Sequence, residues 1–162
     1  MITAIPTRHI VLLQALRTAP ARAAEVVASV PLKAHQWQPR AEDWSVHHLI
    51  SHLMACEAPF LGRLTRIIQE SQPWLPYFGP DVARPDLAIP MPEVLARFRA
   101  ERDQLIVFLS TLAPDDWERP AIHETMGPTT LAGQVQNIVN HDSEHLGQLY
   151  ELREAWQNHL HA

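Results

Sequence analysis

Prolines divide this chain more sharply than any other residue. Fourteen prolines stand against five glycines, and most gather in three places, Pro31 to Pro39, Pro73 to Pro92 and Pro114 to Pro128. Inside a helix a proline removes an i→i−4 hydrogen bond and clashes with the preceding turn, so clusters of them mark where helices stop. The segments between the clusters are long. Their apolar residues recur at helical spacing, with no alternating strand pattern of note.

The first segment runs from about Thr7 to Ser29 and contains Pro20. Thr18 would cap a fresh turn with Pro20 near its first position, which predicts a broken or kinked helix. The second opens at Ser45, an N-cap residue type, and continues through VHHLISHLMACEAPFLGRLTRIIQE with a kink expected at Pro59. The third starts near Met91 and includes PEVLARFRAERDQLIVFLSTL, and the fourth runs from Thr129 or Thr130 to about Asn158. Four helices joined by proline-rich loops predict an all-α fold, an antiparallel up-and-down four-helix bundle, as one domain over residues 1–162. The loop from Gln72 to Pro90 is long and carries Trp74, Tyr77 and Phe78. Such a loop either covers a site or is a packed surface crossover.

Charge and cysteine content exclude several roles. The formal net charge is −5 and the 13 basic residues are spread out, which opposes binding to nucleic acid or to an anionic membrane surface. A single cysteine, Cys56, permits no disulfide within the chain and fits a reducing compartment. The N-terminal stretch has no basic region before an apolar run, and no apolar stretch approaches the ~20 residues a membrane span requires. A cytoplasmic protein is the expectation.

Ten histidines are many for this length, and two of them, His141 and His145, stand four apart in NHDSEHLGQL. At 100° per residue, positions four apart project in nearly the same direction, as two imidazoles on one metal ion must. On the fourth helix, with Leu131 at the centre of the apolar stripe, His145 lies about 40° and Asp142 about 20° from centre. His141 sits at the edge, about 80° away, and Glu144 on the far flank, about 140° away. On the second helix, measured from Val46, His52 falls about 120° away beside Cys56, and His48 lies nearly opposite the stripe, where solvent is expected. Glu57 falls inside that stripe, about 20° from centre, and requires a donor or a cation nearby. Two inward histidines on one helix and one rim histidine on another supply three neutral imidazoles, the donor set that commonly holds a catalytic divalent metal. The alternative is that His145 is a core histidine bonded to Asp142 or Glu57.

The segment EDWSVHHLISHLMACE, Glu42 to Glu57, resembles the signature of the DinB-like (YfiT-like) family of metal-dependent four-helix bundles. There a Trp-Ser pair precedes a helix whose histidine lies eight residues after the tryptophan, which here pairs Trp44 with His52. HDSEHLGQLYELR, His141 to Arg153, resembles the family's last-helix motif, H-x-x-x-H followed by a small residue and Gln. The two motifs stand in the right order, about ninety residues apart, and the likeness extends from about Leu12 to Arg153. The resemblance implies a metal triad of His52, His141 and His145, and Cys56, one turn past His52 on a crowded flank, is expected in the core. Zinc, nickel and iron suit imidazole alike. Asp142, Glu57 and Glu144 are the candidates for groups supporting the ligands, and Asp142 and Glu57 are expected to be buried and hydrogen-bonded, either orienting ligands or bridging helices.

Two enzymatic uses follow from the resemblance. One is hydrolysis by water activated on the metal, with Glu144 or Asp142 as base. The other is S-transfer of a low-molecular-weight thiol of the bacillithiol or mycothiol type to an electrophile, with Arg97, Arg99 or Arg102 gripping the thiol. The absence of an obvious inward base favours thiol transfer. A non-catalytic metal-binding stress-response module is the remaining reading. His141 to His145 also fits H-x-x-E-H, an inverted zinc-protease motif, but little chain follows to supply a third ligand. A ferritin-like di-metal site is opposed by the lack of any Glu-x-x-His pair. A homodimer is expected, since family members often pair and two-fold symmetry is the commonest arrangement.

Overall fold

The computed structural model describes residues 7–79 and 82–161. Positions 1–6, positions 80 and 81 of the long loop, and position 162 lie outside the described residues. Four helices dominate: α1 (Thr7–Ala28), α2 (Val46–Gln69), α3 (Met91–Ser110) and α4 (Leu131–His159). Their starts follow from local chemistry. Ser45 accepts a hydrogen bond from the His48 amide, while His48 Nδ1 accepts from the Ser45 amide in return. His48 is therefore half-buried and part of a capping box, not the solvated residue its wheel position predicts. Thr130 caps α4 by accepting from the Gly133 amide, and Pro90 precedes α3 with Pro92 in its first turn.

α1 runs unbroken through Pro20, and Thr18 caps no new turn, because its hydroxyl donates back to the Ala15 carbonyl. Pro20 has no amide hydrogen, so the Leu16 carbonyl lacks its usual helical donor. Arg102 of α3 fills that vacancy, its Nη1 donating to Leu16 O at 3.1 Å. The proline fits because a neighbouring helix satisfies the acceptor it releases.

The apolar core forms two main clusters that fix the directions of the helices. One joins Leu12 and Leu16 early in α1 to Leu64 and Ile67 late in α2, Leu105 and Leu109 late in α3, and Val135 and Ile138 early in α4. The other joins Val26 late in α1 to Val46 and Ile50 at the start of α2, Val94 and Phe98 early in α3, and Leu149 late in α4. The all-α four-helix bundle expected from the sequence is thus present. Its connectivity differs from a simple up-and-down order at one crossover: α2 and α3 run in the same direction, as do α1 and α4. α1 packs on α3 and α4, and so does α2, so helices consecutive at the first and last connections sit across diagonals. A parallel pair requires a connection that returns along the whole bundle. The loop between Glu70 and Pro90 makes that return, which accounts for its length.

Three short strands, absent from the sequence-based expectation, tie down the ends of these connections: β1 (Trp74–Leu75), β2 (Pro120–His123) and β3 (Gly127–Thr130). β1 pairs parallel with β2, and β2 pairs antiparallel with β3 in the register His123 to Gly127. Runs of two to four residues are too short to show alternation, and prolines at 120 and 128 argued for loop. The local signal is Gly127, whose φ of 73° closes the reversal. Among the described residues no helix is long and apolar enough to cross a membrane.

Candidate metal centre

Between the two core clusters the bundle carries a buried polar layer. Arg102, only 1% exposed, donates through Nε and Nη2 to both carboxylate oxygens of Glu57 at 2.8 and 2.6 Å. The same guanidinium reaches both oxygens of Asp142 at 2.6 and 3.0 Å. The cation that Glu57 requires by its wheel position is therefore Arg102. Asp142 makes its hydrogen bonds to the same guanidinium and none to a histidine, so it ties α4 to α3 and does not orient a ligand. Arg102 is buried and engaged by Glu57 and Asp142, Arg97 pairs with Glu93 on the surface, and Arg99 lines a groove between α1 and α3. None of the three arginines expected to hold a thiol lines the histidine cavity.

Two carboxylates sharing one guanidinium leave the layer with excess negative charge when both are ionised. Burial pushes the Glu57 carboxyl up to about 7, against the opposing hydrogen bonds from Arg102, and it raises Asp142 as well. The folded protein thus holds a proton on Glu57 in a window, about pH 4.5 to 7, where the unfolded chain has released it. That contribution to stability fades as pH rises through the folded value. Glu57→Gln cannot titrate, so between pH 6.5 and 8 it should gain on the order of 1 kcal/mol relative to the parent protein. Urea unfolding at both pH values measures the difference, and the comparison cancels the histidine contributions common to both. Parallel pH dependence in the two proteins would reassign the proton.

One face of this layer opens on a group of three imidazoles. His52 of α2 and His141 and His145 of α4 bring Nε2 atoms together, His141 lying 3.1 Å from His52 and 3.1 Å from His145. Ligating atoms of all three lie within 4.8 Å of one another. The outer nitrogens set the tautomers of two rings. His52 Nδ1 meets the Ala83 carbonyl at 2.9 Å and His145 Nδ1 meets Gln148 Oε1 at 2.8 Å. Both partners are acceptors, so each Nδ1 carries the proton and each Nε2 lone pair faces inward. Burial, with the neighbouring histidines, lowers His141 to about 3, which keeps its ring neutral. Three neutral donors converging at this spacing fit one divalent ion, whose tetrahedral nitrogen ligands stand about 3.3 Å apart. The alternative for His145, a core histidine bonded to Asp142 or Glu57, is not what the structure shows.

The walls are aromatic. The Trp44 ring lies 5.0 Å from that of His52 and 6.2 Å from that of His145, and Phe60 meets His141 edge-on at 5.4 Å. Cys56, buried as expected, nevertheless reaches the cavity, with Sγ 3.6 Å from His52 Nε2 and 3.8 Å from His141 Nε2. Burial and the nearby carboxylates push its thiol up to about 12, so it stays protonated there. The cavity at the triad has a volume of about 440 Å³. Tyr77, Phe78 and Gly79 of the long loop line it, so the crossover is also the cover. Glu144 is exposed at its mouth. Trp44 and His145 also border a second cavity of about 540 Å³, beside Arg40 and Gln148.

Among the residues of the triad cavity that escape sequence reasoning are Arg63 and His123. Arg63 had a usable signal, since it follows His52 by eleven positions and shares its face within about 20°. His123 had none, because only the strand pairing brings it here.

The family model for the DinB superfamily matches residues 15–149. The chain belongs to the DinB superfamily. This DinB fold is similar to that of YfiT from Bacillus subtilis, described as a probable metal-dependent hydrolase with an unusual four-helix bundle topology. The two share 19% identity at a TM-score of 0.78, over 97% of this chain and 93% of YfiT. A DinB-like protein from the same organism, YjoA, shares 14% identity at a TM-score of 0.61, over 88% of this chain and 90% of that one. At these identities the likeness is one of fold. No curated protein matches the sequence.

Proposed function

We propose that His52, His141 and His145 hold one divalent metal ion, and that the protein uses it to transfer a low-molecular-weight thiol to an electrophile. A divalent ion on three imidazoles supplies Lewis acidity, stabilising a thiol or a water as its anion. The single observation that carries the choice of thiol is the disposition of the carboxylates. Glu57 and Asp142 are both occupied by Arg102, and Glu144 is exposed at the mouth, so among the described residues no buried carboxylate remains beside the triad to take a proton from water. Two cavities bordering on His145 from either side of Trp44 give room for two reactants.

The chain's own residues have definite tasks in this reading. Ala83 and Gln148 hold the outer nitrogens of His52 and His145, so both rings keep one orientation. Phe60 and Phe78, packed 5.3 Å apart, keep bulk water from the inner wall. Hydrolysis is the second reading, favoured by Glu144 at the cavity mouth, where it would have to act through a bridging water.

X-ray absorption on metal-loaded protein tests the proposal. Without added thiol the first shell should hold three imidazoles and only light oxygen scatterers, and 2-mercaptoethanol should add one sulfur at about 2.3 Å. Sulfur present before any thiol is added, and lost in Cys56→Ala, would mean a site closed by Cys56. That outcome would end the catalytic reading in favour of a structural metal.

A further inference from the structure

Arg63 is 8% exposed, yet among the described residues no carboxylate pairs with it. Its guanidinium makes one hydrogen bond, Nη2 to the Pro76 carbonyl at 2.7 Å, and lies 4.4 Å over the Phe78 ring. A buried cation without a counter-anion is costly, and one facing a cavity is an invitation to an anionic ligand. His123 lines the same cavity and is 3% exposed. Its Nδ1 accepts from the amides of Thr125 and Met126 at 3.2 and 3.4 Å, which places the ring proton on Nε2 and makes that atom a donor.

We propose that Arg63 and His123 form a carboxylate-binding subsite at the end of the cavity away from the histidine triad. One guanidinium and one neutral imidazole balance a single negative charge, and the planar fork of arginine matches a carboxylate. A phosphate dianion would be left under-neutralised, with Glu144 at the mouth opposing it. Arg63 and His52 share a face of α2 with a rise of about 16 Å between them, and the long arginine side chain leans back toward the helix start. The gap left between guanidinium and triad is roughly 10 Å. The ligand is therefore an elongated molecule with an apolar or aromatic body, lying against the cavity-facing edges of Phe60 and Phe78, and a carboxylate at its far end. That this ligand is the electrophile of the transfer reaction rests on the function proposed above, whereas the subsite itself needs no metal.

The probe is 3-phenylpropionate, with 3-phenylpropionamide as its uncharged counterpart, each titrated calorimetrically into metal-stripped protein. The parent protein should bind the carboxylate at least tenfold more tightly than the amide. Arg63→Met should erase that preference while leaving amide binding unchanged, which also reports that the cavity is intact. Arg63→Lys should keep part of it, and His145→Ala all of it. Equal affinity for the two probes in the parent, or an unchanged preference in Arg63→Met, overturns the subsite. Loss of the preference in His145→Ala overturns it too, by moving the anion to the triad and leaving the metal reading standing. Should Arg63→Met not fold, the parent's Arg63 Nε–H resonance, assigned by its absence in Arg63→Lys, decides the matter. It must shift with the carboxylate and not with the amide.

Discussion

Arg102→Ala is expected to destabilise the fold by about 3–5 kcal/mol, because it strands two buried carboxylates at once. Glu57 is 1% and Asp142 3% exposed, and each directs both oxygens at the guanidinium that would be lost. The Leu16 carbonyl, already without a helical donor because of Pro20, would lose its partner as well. Urea titration should show the midpoint falling with little change in slope. A triple variant, Arg102→Met with Glu57→Leu and Asp142→Leu, should recover most of the loss, since an apolar layer of similar volume avoids the desolvation of charge altogether. A loss below about 1 kcal/mol in the single variant would mean that water reaches the carboxylates, and the buried network would not be what joins α2, α3 and α4.

His145→Ala is the second large effect, and it should act on the metal rather than on the fold. Removing one of three imidazoles is expected to weaken binding of zinc, nickel or iron by well over 100-fold. Gln148→Ala, which removes only the partner of His145 Nδ1, should weaken it by roughly 10–100-fold. His145 is half-buried at a cavity wall, and the apolar residues of α4, Val135, Ile138 and Leu149, still hold the helix against its neighbours. The melting temperature of the metal-free variant should therefore stay within a few degrees of the parent's. Competitive titration against a chromogenic chelator ranks the three proteins. An affinity in His145→Ala equal to that in Gln148→Ala would remove His145 from the ligand set.

Much of the site is written locally in the chain. The spacing of His141 and His145 fixes their common direction on any helix, and the apolar stripes of α2 and α4 decide which way Glu57, Asp142 and His52 face. Helix ends were legible for the same reason, as Ser45, Thr130 and the proline clusters act within one turn of themselves. These are properties of short range, so the sequence by itself determined them, together with the all-α class.

Other features depend on residues far apart in the chain. That Glu57 and Asp142 face each other across Arg102 follows from packing, and it decides between the two tasks open to Asp142, orienting a ligand or bridging helices, in favour of the bridge. The parallel course of α2 and α3 was hidden, because helical periodicity carries no direction. Pro20 reads as a break in isolation and is tolerated only because Arg102 arrives from another helix to bond Leu16. Cys56 is both core and cavity wall, a distinction the angle on a wheel does not make. His123 and Ala83 reach the site through a strand pairing and a loop return that no local pattern encodes. Local spacing sets where side chains point on their own helix, and only tertiary packing decides what they meet there.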